Sequence, residues 1–564
     1  MRLGIAILAI GICQLIWQPA SEPFFNGDET RHVMTGVFVR DAILDGGFLH
    51  PRQYAEQYYA QYPALGLLIW PPAFYAVEGV AMLLCGTTFE VGRLLVFLYF
   101  VVGAAYLYGL VKRTHNAEVA FVSVLGFGLC RMVFTHAGIV MLEVPSTACF
   151  LAVAYHLERY LAITSTPAAL TPETLSPATT RRRFFSLDPG KRQLILLAFW
   201  TLATSLHRYD SVILVPFFLF RLYFEGRLSL FLRRDVLIAA ITVVLLAAPF
   251  WWLMVREIGK MQTFAASQGT NDEVSTGLFH LENFYFYPTA IPFQFGAIAA
   301  GFIAVGMVRS LAKSHRSAFR PYWSMVLAVY CFFTPLAELE PRHAMYWTGA
   351  LAVFAASAAL SVQDRRIKII LAMILIGSIA FWTLKQERNW IRGYRDAATY
   401  CIERLDGTNP VVLFDGLNDG NFIYQVRTLD PARKIWVLRG DKLVYAVRSD
   451  PNAGYIEWAK DEPAILKILH EADPAFIVVE DPPAKPEKYA IMPAAQRLRD
   501  TLRNHPELFH LETTIPVING NQDFYKDVEL LIYRKLVRNP DRGPIRMNMF
   551  WQGSSITAPL PHKK

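Results

Sequence analysis

The chain reads as a polytopic α-helical membrane protein with a C-terminal extracytoplasmic α/β domain. Three observations lead there. The 564 residues are 54% hydrophobic and 18% charged, with mean hydropathy +0.28, which is less charge than a soluble globular protein carries. Apolar runs of about 18–22 residues recur between short charged clusters, each long enough to cross a bilayer core of about 30 Å. Past residue 388 the pattern changes to short strand-like runs separated by turn signals and amphipathic stretches.

The apolar runs predict about eleven transmembrane helices, at 3–20, 91–111, 117–135, 146–164, 193–206, 211–224, 235–254, 290–308, 322–337, 344–362 and 367–384. Met1 to Trp17 carries Arg2, an apolar stretch and Ala20-Ser21, as a secretory signal would. The many later spans favour an uncleaved first helix instead. The segment Tyr62 to Cys85 decides the threading, because Pro63, Pro71, Pro72 and Glu78 interrupt it. If it lies at the outer interface, the clusters Lys112-Arg113, Arg181 to Arg183, Arg233-Arg234, Arg309 to Arg320 and Arg365-Arg366 all face the cytoplasm. If it spans, all of them fall outside, against the positive-inside rule. The interfacial reading follows.

That threading places the N-terminus in the cytoplasm and the C-terminal domain outside. The outer side receives a long first loop, 21–90, the turn at Glu143, the turn His207 to Asp210, the loop 255–289 and the turn Glu338 to His343. The Thr-, Pro- and Ser-rich stretch Thr164 to Thr180 reads as a flexible cytoplasmic linker. Residues 1–387 form the transmembrane domain and 388–564 the extracytoplasmic α/β domain, with strands at Val411–Phe414, Ile435–Leu438 and Phe476–Val479 and an amphipathic stretch at Ala464–His470. The C-terminal part contains no GxGxxG, no P-loop and no metal-ligand spacing.

The net charge of +8 sits mostly in short loops, where topology accounts for it better than nucleic-acid binding does. The six cysteines form no CxxC and no paired spacing; they read as small buried hydrophobes.

Few residues have the character and position for chemistry. Asp28 and Glu29 follow the first apolar segment; the bland reading is an acidic start to a helix. Glu143 is a lone carboxylate in Met141-Leu142-Glu143-Val144-Pro145, either a helix N-terminal charge or a functional acid at the membrane edge. Arg208 and Asp210 either satisfy each other or present the Arg208 cation at the outer boundary for an anionic ligand. Arg342-His343 follows Glu338 and Glu340, either as an exposed turn with weak local ion pairs or as a planar fork for phosphate. The run Tyr58 to Tyr62, continued by Trp70-Pro71-Pro72, is an interfacial aromatic belt or the lining of a lipid or sugar groove. Together these place carboxylates and arginines on one membrane face, which suits chemistry on a lipid-borne phosphate ester: a carboxylate as general base, arginines offsetting the leaving phosphate.

The acidic pair after the first helix, the Tyr-Pro-Ala-Leu-Gly run with its later Pro-Pro, the helix ending in Lys112-Arg113, the acid-Pro turn at Glu143 and the Pro-Arg-His turn at Arg342 resemble the integral-membrane GT-C glycosyltransferases. The likeness is to the protein O-mannosyltransferase and lipid A aminoarabinose transferase branch and covers about residues 1–385. It implies a polyprenyl-phosphate sugar donor, transfer on the extracytoplasmic face and inversion at the anomeric carbon. It further implies Asp28 as catalytic residue, Glu143 as its assistant, and Arg342 at the lipid phosphate, although His343 stands where Tyr is common. Glu29, Arg208, Asp210, His343 and Tyr62 are the further substrate-binding candidates.

The expected activity is therefore transfer of a sugar from a polyprenyl-phosphate donor to a glycan, lipid or protein acceptor, among membrane lipids and without nucleic acid. The sequence assigns no cofactor, and the two first-loop acids leave a divalent cation open. Alternatives remain: a lipid-linked sugar transporter, which should carry polar groups near the midplane, a glycan polymerase or ligase, and an assembly protein anchored by its spans.

Overall fold

The computed structural model describes residues 1–17, 22, 27–165, 188–268, 277–386, 390–407, 409–447, 454–483, 490–520, 526–539, 541, 543–549 and 554–558. The expected linker 164–180 lies almost wholly outside them.

Helix α1 (Arg2–Trp17) is followed by three helices of the first loop: α2 (Gly27–Leu44), α3 (Pro51–Gln61) and α4 (Ala73–Cys85). Then come α5 (Phe89–Thr114), α6 (Ala117–Leu129), α7 (Arg131–His136), α8 (Glu143–Ser165), α9 (Pro189–Ser205), α10 (Leu214–Glu225), α11 (Arg234–Gln268), α12 (Leu281–Phe295), α13 (Ala297–Ser310), α14 (Arg316–Phe333), α15 (Thr348–Ala359) and α16 (Arg365–Leu384). Every expected span meets a helix. Among the described residues, α5, α11 and α16 are long and apolar enough to cross a membrane by length and composition; the other helices named here are shorter or less apolar. At 1.5 Å per residue α4 is about 20 Å long, short of a 30 Å crossing.

Three boundaries differ from the expectation. The span at 117–135 breaks at Cys130 into α6 and α7. The span at 290–308 is two helices joined at Gly296, whose φ of 84° is open to glycine and strained for other residues. Helix α11 runs on past 254 into the expected loop 255–289. Charges such as Arg256 and Glu257 end the hydropathy run there, yet the helical period persists, with Met254 and Ile258 buried four residues apart. The cysteines divide: Cys130, Cys149 and Cys401 are buried, whereas Cys85 and Cys331 are exposed, and all six are free thiols.

The C-terminal region begins its strands at β1 (Ile391–Arg392) and continues with β2 (Val411–Asp415), β3 (Trp436–Arg439), β4 (Tyr445–Val447), β5 (Tyr455–Glu457), β6 (Phe476–Asp481), β7 (Phe509–Pro516), β8 (Ile518–Asn519), β9 (Glu529–Lys535), β10 (Ile545–Met549) and β11 (Ser554–Ala558). Its main sheet has the order β3-β2-β6-β9-β7. β3, β2 and β6 are parallel and β9 and β7 antiparallel. The apolar run of β2 is buried throughout, as a central parallel strand covered on both faces requires. Ala464–His470 lies within the helix Glu462–Ala472.

This region packs directly on the first loop through α17 (Tyr394–Arg404), α18 (Asp419–Leu429) and the turn that follows β3. Arg427 Nη2 on α18 meets Asp41 Oδ2 on α2 at 2.6 Å, with both side chains almost fully buried, and Tyr58 donates to the same carboxylate oxygen at 2.8 Å. Arg433 Nη2 reaches Asp45 Oδ1 at 2.7 Å, and Gln61 donates to the carbonyls of Arg433 and Ile435. Glycine at 420 permits the approach, because a Cβ there would lie 2.0 Å from Thr30 Oγ1.

Removing one member of a buried ion pair strands the other. Arg427→Ala should therefore destabilise the purified protein by about 3–5 kcal/mol, read as a lowered thermal transition in detergent. Asp41→Asn/Arg427→Gln should recover part of that loss; no recovery would mean the pair does not couple the two regions.

Candidate active site

Asp28 stands in the first turn of α2, where a carboxylate is favoured by the helix dipole. Glu143 opens α8 in the same way. Arg208 precedes a short 3-10 turn at Tyr209–Ile213, and Arg342 precedes another at His343–Trp347. Four segments distant in sequence thus bring their charges to one place.

Arg208 is buried, with 5% of its side chain exposed. It is ion-paired with Glu143 and, at 3.1 Å, with Asp210 Oδ2. Asp210 Oδ1 in turn accepts from Tyr346 at 2.7 Å, and the Tyr346 hydroxyl shares a hydrogen bond with Ser146 Oγ. A buried guanidinium needs this complement, because an unpaired charge at such depth is costly. Arg342 lies nearer the opening. Its Nη1 is 3.9 Å from Asp28 Oδ2 and 3.8 Å from Glu143 Oε1, and it is ion-paired with Glu340. The two longer separations are Coulombic contacts rather than hydrogen bonds. Arg31 approaches Asp28 from the other side at 3.2 Å.

These groups line one end of a cavity of about 1560 Å³. Asp28, Arg208, Asp210, Arg342 and His343 reach it. Glu143 supports it from behind Arg208. Glu29 does not reach it; that carboxylate turns inward, accepts from the Val140 amide at 3.0 Å and lies 3.5 Å from Arg93. Burial raises the Glu29 carboxyl above its ordinary range. The adjacent acids thus have different surroundings, Asp28 at the cavity and Glu29 at the Val140 amide. Among the described residues no group of three His, Cys, Asp or Glu side chains has the arrangement of a metal site. Tyr62, expected at the substrate, does not line the cavity. It is fully buried beneath the C-terminal region, with the Arg427 guanidinium 5.9 Å from its ring centre.

Several participants went unread in the sequence. Arg31 was legible from its three-residue spacing to Asp28. His32, which hydrogen-bonds Tyr75 at 2.8 Å and packs on Trp70, had no local signal. Neither had Arg439, Asp441 and Lys442, which bring the C-terminal region to the same cavity.

No family profile matches the chain, and no curated protein sequence matches it. Solved structures do. ArnT from Cupriavidus metallidurans in the apo state superposes with TM-score 0.56 at 13% identity, over 94% of this chain and 97% of that one. The same ArnT bound to undecaprenyl phosphate gives 0.54 at 13% identity, over 94% and 97%. The oligosaccharyltransferase AglB from Archaeoglobus fulgidus, in complex with an inhibitory peptide and a dolichol-phosphate, gives 0.51 at 12% identity, over 93% of this chain and 75% of that one. This chain has the GT-C glycosyltransferase fold. The GT-C likeness extends through the C-terminal region, beyond the residues that carried the resemblance in the sequence.

Burial lowers His32 and His343 to about 4, so both are neutral at pH 7. In the unfolded chain they take up protons below about pH 6.5. Between pH 6.5 and 4 the unfolded state therefore binds more protons, and stability should fall as pH falls through that window. His343→Asn should flatten the slope of the thermal transition against pH; an unchanged slope would show that His343 already titrates normally.

Proposed function

We propose that the protein is an integral-membrane glycosyltransferase that moves a sugar from a polyprenyl-phosphate donor to an acceptor on the extracytoplasmic face of a bacterial inner membrane. The observation that carries this reading is Arg342, held just under 4 Å from both Asp28 and Glu143 at the wall of a large cavity. A phosphate oxygen drawn to that fork places its sugar carbon near Asp28. The undecaprenyl phosphate and dolichol-phosphate bound by two fold neighbours support the donor class. So does a second, almost wholly apolar cavity of about 350 Å³ beside the first, lined by Val39, Leu67, Pro71, Trp251 and Met254, which suits a prenyl chain.

Asp28 accepts the proton of the acceptor hydroxyl or amine. The acceptor atom attacks the anomeric carbon, the bond from that carbon to the phosphate oxygen breaks, and the electron pair leaves with the phosphate. A single displacement of this kind inverts the anomeric centre. Arg342 stabilises the charge gathering on the leaving phosphate. Arg208 has a different part: committed to Glu143 and Asp210, it fixes those carboxylates and the turn carrying Tyr209. Glu143 orients Arg342, and Glu29 anchors α2 to the Val140 backbone.

Asp28→Asn should lower transfer by about 10²–10⁴-fold at normal expression, the usual worth of a positioned general base. Full activity in that variant would remove the assignment. Arg342→Ala should raise the KM for donor about tenfold or more, with only partial rescue by Arg342→Lys because lysine lacks the planar fork. Mass spectrometry of lipid-linked sugars and envelope glycans, with and without the gene, tests the reaction itself. Accumulated donor and an acceptor lacking one sugar support it; transport of donor without a glycosidic product, or loss of a whole polymer, would count against it.

A further inference from the structure

The two walls of the main cavity differ in chemistry. One wall, from α11 and the segment that closes α14, is mainly apolar, with Trp251, Leu253, Met261, Phe332 and Leu336, and carries Gln262 and the Arg256–Glu257 ion pair among them. The opposite wall is built by α3 and the C-terminal region. Gln53, Glu56 and Gln57 fall at i, i+3 and i+4, on one face of α3. Beside them stand Tyr59, Asp441 and Lys442.

The polar wall is held in place from behind. Arg439 donates to the Pro63 carbonyl at 2.8 Å, is ion-paired with Asp419, and donates through Nε to Asp441 Oδ1 at 2.7 Å. The turn carrying Asp441 and Lys442 is thereby anchored to the first loop. A Cβ at Gly440 would lie 2.2 Å from Asp415 Oδ1, so the turn also lies tight on β2.

The charges on this wall cancel. Arg52 pairs with Glu56 at 2.8 Å, and Lys442 Nζ is 3.5 Å from Asp441 Oδ2. An anionic ligand would therefore find its cations already matched, and an acyl chain would find no apolar bed. The wall offers donors and acceptors side by side, with amides that serve as both, next to an aromatic ring. Ligands whose hydroxyls also donate and accept together match it. Building on the glycosyltransferase reading, we propose that the acceptor is a carbohydrate chain, seated between α3 and the Asp441-Lys442 turn. The C-terminal region thus selects the acceptor while the membrane helices hold the donor.

The test uses the full-length protein in detergent, labelled and applied to a printed array of neutral and zwitterionic oligosaccharides and serine- or threonine-containing peptides. Thermal stabilisation by undecaprenyl phosphate is measured in parallel. Gln53 and Gln57 are exposed, so Gln53→Ala/Gln57→Ala leaves the fold intact, and Lys442→Gln probes the C-terminal side. Oligosaccharide binding weakened about tenfold in each variant, as loss of one or two hydrogen bonds gives, with the lipid-phosphate stabilisation kept, supports the proposal. Binding of peptides alone, a silent array, or variants that bind sugars like the unmodified protein overturn it, while a persisting response to undecaprenyl phosphate leaves the glycosyltransferase reading standing. Absence of that response in the unmodified protein overturns both.

Discussion

A guanidinium with 5% exposure must be neutralised by what surrounds it, and Arg208 sets that requirement for the site. Glu143 and Asp210 supply two negative charges, which fixes the N-terminus of α8 against the turn before α10. Tyr346 then holds the outer oxygen of Asp210, which brings in the segment before α15. Arg342, four residues before Tyr346, is carried to within 3.8 Å of the same Glu143 oxygen that Arg208 engages. The charge facing the cavity is in this sense a by-product of satisfying the charge behind it.

The first loop depends on the C-terminal region in a comparable way. Asp41 has 1% of its side chain exposed and takes its charge balance from Arg427. The two parts share one continuous apolar core, in which Val33 and Phe38 of the loop belong with Phe414 and Phe422 of the α/β region. Regions with a continuous core and crossed buried ion pairs behave as one body, which explains how residues as distant in sequence as Asp28 and Asp441 line one cavity.

Much of this was legible in the chain, for different reasons. Apolar runs located the helices because bilayer thickness and helix rise leave little freedom of length. Hydropathy misjudged α11, because charge ends an apolar run without ending a helix. Glu143 could be read because a lone ionisable group among apolar residues is unusual; Asp28 and Arg342 stood out as charges in the turns that border apolar segments. Tyr62 misled: an aromatic beside proline looks the same at an interface as beneath a docked domain, and only the tertiary fold separates the two. Arg439, Asp441 and Lys442 were invisible for the opposite reason, since charges in a domain rich in charges carry no local mark. Arg208 could be singled out by its turn, but its burial, which confines it to carboxylates, could not be read there.

The contact between Arg427 and Asp41 also sets an order of events during synthesis. The partners are 386 residues apart, and Arg433 follows Asp45 by 388. At about 5–20 residues per second, roughly 20–80 s pass between the making of one partner and the other. Throughout that interval Asp41 and Asp45 lack their arginine partners from the C-terminal region, and α2 lacks its packing on α18. The contacts between α2 and α18 form only once the last third of the chain has been made. Biogenesis thus includes a waiting period in which the first loop is exposed and incomplete, and the finished site comes into being late and all at once.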